Sequence, residues 1–147
     1  MSQRFSEINM PIDWFSISGR DRLAAWQGLA AFVDTLVYRY DLQREIMTCW
    51  WQHNDAVEEL TALWQVRLSS FLDGASLNAA MSWQDTFYKS RARLAGIFSS
   101  CREGHVDARV HGWMSNEARE ALASHIQEEA SAMRERTISP TPLWLMT

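Results

Sequence analysis

Cysteine is scarce in this chain, with two in 147 residues, and so are glycine and proline, with six and three. Two cysteines are too few for a disulfide scaffold, and a chain of this length does not need one to bury a core. The low glycine and proline content, beside 47% hydrophobic and 22% charged residues, is that of a folded protein and argues against wholesale disorder. Positive charge is also lacking. Fourteen Lys and Arg face eighteen Asp and Glu, a net charge of -4, which speaks against a protein that coats nucleic acid non-specifically. No window approaches the roughly 18 consecutive apolar residues of a membrane helix. The opening "MSQRFSEINMPIDWF" has no basic start followed by an apolar run, so the expected location is the cytoplasm, where thiols stay reduced. Glycine-rich phosphate loops, a serine elbow, an HExxH helix and paired-carboxylate motifs are absent too, which makes an enzyme the least favoured class.

Tryptophan is abundant instead, at eight residues. Each buries a large area, so an excess means either a dense core or a partner surface. The apolar pattern points to helices. Leu23, Trp26, Leu29, Ala30, Val33, Leu36, Val37 and Tyr40 recur at three- and four-residue steps, predicting a helix over 21–40 with Ser18 and Gly19 at its entry. The segment from Asp41 to Gln52 is ambiguous between helix and loop. Asn54 then suits the cap of a second helix that buries Val57, Leu60, Leu63, Trp64, Leu68 and Phe71. "DGAS" (Asp73 to Ser76) reads as a turn. Ser82 with Asp85 approximates a capping box for a third helix, carrying Trp83, Phe87, Leu94, Ile97 and Phe98 on one face with Cys101 a turn beyond. Gly104 would end that helix. Ser115 or Asn116 opens a fourth, peripheral helix to about Arg136, with a thin stripe of Leu122, Ile126 and Met133.

The expected fold is therefore all-α, one domain of about four helices. Residues 1–20 form an N-terminal arm from which Trp14, Phe15 and Ile17 dock onto the body; 21–136 form the helical domain, and 137–147 a tail opened by Pro140 and Pro142.

Both cysteines precede a histidine by four residues, Cys49 with His53 in "TCWWQHND" and Cys101 with His105 in "SSCREGHVD". An offset of four places two side chains on one side of a helical turn or of a loop curled round an ion. Zinc takes four such sulfur and nitrogen ligands in a tetrahedron, and two pairs from distant parts of a chain are a common way to supply them. The reading is a Cys2His2 zinc site of structural kind, since a full shell leaves no position for an activated water. Two buried thiols beside ordinary histidines, or a Cys49–Cys101 disulfide, are the alternatives.

The same stretch resembles a known group. "YRYDLQREIMTCWWQHNDAVEELTALWQ" (Tyr38 to Gln65) followed by "WQDTFYKSRARLAGIFSSCREGH" (Trp83 to His105) is similar to an uncharacterised domain family encoded on plasmids, phages and integrated elements of actinobacteria. The matching pattern is a tyrosine-rich helix end, a tryptophan and histidine knuckle, a Leu and Trp helix, and a closing Cys and His. Residues 38–105, about half of the chain, carry the resemblance. It implies an accessory protein of a mobile element and no known reaction.

Remaining motifs are weaker. Trp50, Trp51 and, in "LWLM", Trp144 are candidates for contact with a protein partner or a second copy. Lys89, Arg91 and Arg93, with Arg102 nearby, form a basic cluster that would suit a small nucleic-acid-binding regulator, though three or four cations give only weak, salt-sensitive binding. An unrecognised hydrolase is the third reading. His125 with Glu129, and His111, read as solvated positions.

Overall fold

A computed structural model of the chain describes residues 10–107 and 112–137. Among the described residues there are four α-helices, α1 (Gly19–Tyr40), α2 (Asn54–Ser70), α3 (Asn78–Ile97) and α4 (Asn116–Thr137), and a 3-10 turn at Trp50–Gln52. Among the described residues there is no strand, so the all-α expectation holds. The chain divides into two compact units, Met1–Ala108 and Arg109–Thr147. None of the helices among the described residues is long and apolar enough to cross a membrane.

In the first unit α2 is the central helix, packed against α1 on one side and α3 on the other. Each contributes a stripe at helical spacing. Ala25, Leu29, Val33 and Leu36 come from α1; Ala56, Val57, Leu60, Leu63 and Trp64 from α2; Trp83, Phe87 and Leu94 from α3. Phe87 is fully buried and meets the Tyr40 ring at 4.3 Å and the Trp83 ring at 5.8 Å, the latter nearly parallel. Leu23 and Ala30, expected on the buried side of α1, face outward because the stripe that meets α2 runs through Ala25 and Gly28 instead.

α1 stops at Asp41, which adopts the left-handed conformation (φ 55°) and returns its N–H to the Val37 carbonyl. Asparagine and aspartate tolerate that conformation better than most side chains. The ambiguous segment after it is a string of turns that buries Leu42 and Ile46 before the 3-10 turn. Ahead of α1, the arm is strapped across the body. Ile12 N–H donates to Gln65 Oε1 at 3.0 Å, Gln65 Nε2 donates to the Met10 carbonyl at 2.9 Å, and Trp14 Nε1 donates to Thr61 Oγ1 at 2.9 Å. Trp14 also tilts against Trp26 at 4.8 Å, whereas Phe15 points into solvent.

Three boundaries differ from the sequence reading. His53, not Asn54, caps α2, its extended backbone supplying the carbonyl that receives the Val57 N–H. α3 begins at Asn78, four residues before Ser82, because the turn at Ser76 already supplies acceptors: its Oγ to Asn78 N–H and its carbonyl to Ala79 N–H. Ser82 is then an exposed residue inside the helix. At its other end α3 stops at Ile97, so Cys101 lies in a turn beyond the helix and Gly104 in the loop after it. The far end of α2 also departs from expectation, since Leu68 and Phe71 are exposed and Phe71 lies under the Arg67 guanidinium instead of in the core.

In the second unit, α4 starts where Ser115 caps it: its Oγ accepts from Ala118 N–H at 3.1 Å and its carbonyl from Arg119 N–H at 3.0 Å. Leu122, Ile126 and Met133 are each about half exposed.

Candidate metal centre

Two short folding accidents of the backbone build the site. In the first, Trp50–Gln52 tighten into the 3-10 turn, with Gln52 N–H on the Cys49 carbonyl and His53 N–H on the Trp50 carbonyl. That turn places the Cys49 sulfur 3.5 Å from His53 Nε2. In the second, the chain leaves α3 through Phe98, and Cys101 N–H bonds back to the Phe98 carbonyl at 2.9 Å. Gly104 N–H then reaches the Cys101 carbonyl at 3.3 Å with φ at +143°, a value that side chains disfavour and glycine adopts freely. The resulting loop returns His105 toward Cys101, with Nδ1 4.0 Å from the sulfur.

The two knuckles meet because α2 and α3 pack side by side and hold the start of one against the end of the other. Cys101 Sγ is 3.3 Å from His53 Nε2, although the residues are 48 positions apart in sequence. The His53 and His105 rings stand edge to face at 4.9 Å, and Phe98 supports His53 at 5.5 Å in the same manner. All four ligand atoms, two Sγ and two ring nitrogens, lie within 4.8 Å of one another. Cys49, His53 and Cys101 are buried while His105 is exposed, so the cluster has three walls and one side toward solvent. Both cysteines are free thiols.

These distances can be judged against a metal. With metal–sulfur bonds of about 2.3 Å and metal–nitrogen bonds of about 2.05 Å, a tetrahedron has edges of about 3.3 to 3.8 Å. Three of the six separations, 3.3, 3.5 and 4.0 Å, fall within about half an ångström of those edges, and all six lie within 4.8 Å. The residues therefore stand close enough to hold a metal ion. A supporting bond points the same way: Val106 N–H donates to Cys101 Sγ at 3.4 Å, the kind of outer contact that orients a ligand. Burial, and after it the neighbouring Cys101 sulfur, push the Cys49 thiol up from its ordinary value. Cys49 thus resists becoming a thiolate on its own, and a divalent cation beside it would reverse that preference.

Among the described residues no second group of His, Cys, Asp and Glu gathers in this way. His125 and Glu129 are exposed on α4. His111 and Trp144 lie outside the described residues. Trp50 is half-buried against the core near Trp26, and Trp51 is 54% exposed beside the site.

The basic cluster is arranged differently from the sequence picture. Arg91 makes a two-pronged pair with Glu45, Nε to Oε1 at 2.7 Å and a terminal nitrogen to Oε2 at 2.6 Å. Arg93 pairs with Glu59, which also accepts from the fully buried Ser90 hydroxyl at 2.6 Å. The Arg91 hydrogen bonds hold the Glu45 carboxyl below its ordinary range. Burial works to raise Glu59, but the bonds from Arg93 and Ser90 outweigh it and its carboxyl is also lowered. The acids that neutralise these arginines lie 46 and 34 positions away, so periodicity offered no sign of them. The Val106 amide was missed too; Gly104, expected as the stop of α3, instead shapes the loop that returns His105.

Comparison with protein-family models, curated proteins and solved structures found no match for this chain.

Proposed function

We propose that the first unit is a zinc-stabilised helical interaction module, a non-enzymatic accessory protein of a mobile genetic element. The observation that carries the metal reading is the convergence of two Cys-to-His knuckles, which brings four ligand atoms within 4.8 Å of one another. Two thiolates and two imidazoles are a zinc donor set, and they complete its shell. The ion would clamp the turn before α2 to the loop after α3, as a cross-link that needs no oxidising compartment; the cytoplasm suits it. With no open position on the ion, this chemistry favours structure over hydrolysis. The mobile-element origin rests on the resemblance of residues 38–105.

Exposed Trp51, next to the clamp, supports a protein partner or a second copy as the counterpart of the module. The regulator reading is less well supported, because Glu45 and Glu59 neutralise two of the four cations, leaving Lys89 and Arg102 as its remaining charges. Metal analysis of the purified protein together with pull-down from its native host tests the proposal. About one zinc per chain and capture of a protein partner that depends on Trp51 are expected. Metal-free protein of unchanged melting temperature overturns the clamp. A sequence-selective nanomolar nucleic-acid complex lost in a Lys89→Glu, Arg93→Glu variant, against a non-specific range of about 10⁻⁴ to 10⁻⁶ M, replaces the interaction module with the regulator.

A further inference from the structure

A groove of about 560 Å3 opens between the C-terminal ends of α1 and α2 and the first turns of α3. Its volume is that of a small-molecule site. The chain carries a net charge of -4, yet no acidic residue lines this groove, while two guanidiniums do, Arg39 from α1 and Arg67 from α2. Among the described residues, neither arginine has a hydrogen bond or ion pair to an acceptor. They differ in this from Arg91 and Arg93, which are fully engaged by glutamates.

Arg67 is also held in place. Its guanidinium lies 3.7 Å from the Phe71 ring centre and 5.4 Å from that of Trp83. Stacking covers the flat face of a guanidinium and leaves its in-plane N–H donors for another group. Tyr40 adds a third donor. Its oxygen accepts from Trp83 Nε1 at 3.1 Å and from Gln84 Nε2 at 3.0 Å, which leaves the phenolic hydrogen to be given away. Two unpaired guanidiniums and one hydroxyl hydrogen thus converge on an aromatic-walled groove without a carboxylate. The complement of such a surface is an oxyanion joined to a flat apolar body.

We infer that this groove binds a small aromatic anion, a carboxylate or phosphate carried on a planar ring system of up to about mononucleotide size. Arg67 and Arg39 receive the anion, the forked donors of Arg67 taking two of its oxygens, and the ring lies against the half-exposed Phe71 side of the groove, Trp83 being buried beneath.

Calorimetric titration of the full-length protein tests this with paired probes: adenosine monophosphate against adenosine, and indole-3-carboxylate against indole. Inorganic phosphate serves as the ring-free control. At least one charged probe should bind about tenfold or more tightly than its neutral partner and than phosphate alone, and the better arm identifies the anion. Arg39→Ala removes an exposed side chain, and should weaken that probe about tenfold without moving the melting temperature. Arg67→Lys keeps the charge but loses the fork and should also weaken it. Equal binding of charged and neutral probes, no binding by either pair, or an affinity that Arg39→Ala and Arg67→Lys both leave unchanged overturns the inference.

Discussion

α1 and α4 are both 22 residues long, and both carry apolar residues at helical spacing, yet they live in different surroundings. α1 buries Ala25, Leu29, Val33 and Leu36 against its own unit. Of the α4 side chains described, none is buried, and Leu122, Ile126 and Met133 remain about half exposed. A helix can therefore be specified in two ways. α4 is rich in alanine and glutamate, strong helix formers, and opens with a serine cap, so local preference alone favours it. α1 contains Gly28, Phe32, Val33, Thr35, Val37 and Tyr38, none of them strong helix formers, and it is held by what it packs against. Stability should accordingly be concentrated in the first unit, where the core and the Cys/His cluster lie, and be nearly indifferent to α4.

The sharpest way to break that contrast is through the Cys/His cluster. Cys101→Ser should abolish stoichiometric zinc in mass-spectrometric metal analysis and lower the melting temperature by well over 10 °C. A structural zinc site supplies several kcal/mol or more of folding free energy, and about 1 kcal/mol moves a domain of 60–100 residues by about 4–8 °C. Next comes the core: Phe87→Ala, at a fully buried position touching Tyr40 and Trp83, should cost about 3–5 kcal/mol in urea unfolding while zinc content stays the same. A loss below about 1 kcal/mol would mean that the α2–α3 packing is not the seat of stability.

Smaller effects belong to the surface pairs of the first unit. Arg91→Ala, which frees Glu45, should destabilise by about 0.2–1 kcal/mol, screened because both side chains are about a third exposed. The pH dependence has a definite sign. Glu45 and Glu59 have folded-state values below their ordinary 4.5, so their contribution is present above that value and is lost as pH falls through the lowered ones. Glu45→Gln with Glu59→Gln should flatten the acid limb of stability below about pH 4.5, compared at equal metal content because protonation of the proposed ligands would also release an ion. The smallest effect is expected in α4. Ile126→Gln should change unfolding by no more than about 0.5 kcal/mol, in contrast to a loss at Leu29 or Leu60. A large effect would show that α4 is covered by a surface its own side-chain exposures do not reveal.

How far the sequence could be read follows from the range of the forces involved. The stripe Leu29, Val33, Leu36, the cap at Ser115 and the two Cys-to-His offsets all depend on residues three or four positions apart, and these were legible directly. Ser82 misled because a serine and an acid at cap spacing look the same inside an exposed helix face as at its start, and the turn at Ser76 had already begun the helix. Leu68 and Phe71 continue the α2 stripe in sequence, but the packed neighbours of α2 do not extend over them. Helical character and the pairing of each cysteine with its own histidine were thus determined by the chain locally. That His53 meets Cys101 across 48 positions, that Glu45 and Glu59 claim Arg91 and Arg93, and that Arg39 and Arg67 stay unclaimed beside aromatic walls were decided only when α1, α2 and α3 packed. Periodicity says which face of a helix is buried; it does not say which other face that surface will meet, and sites made of several elements exist only after that choice.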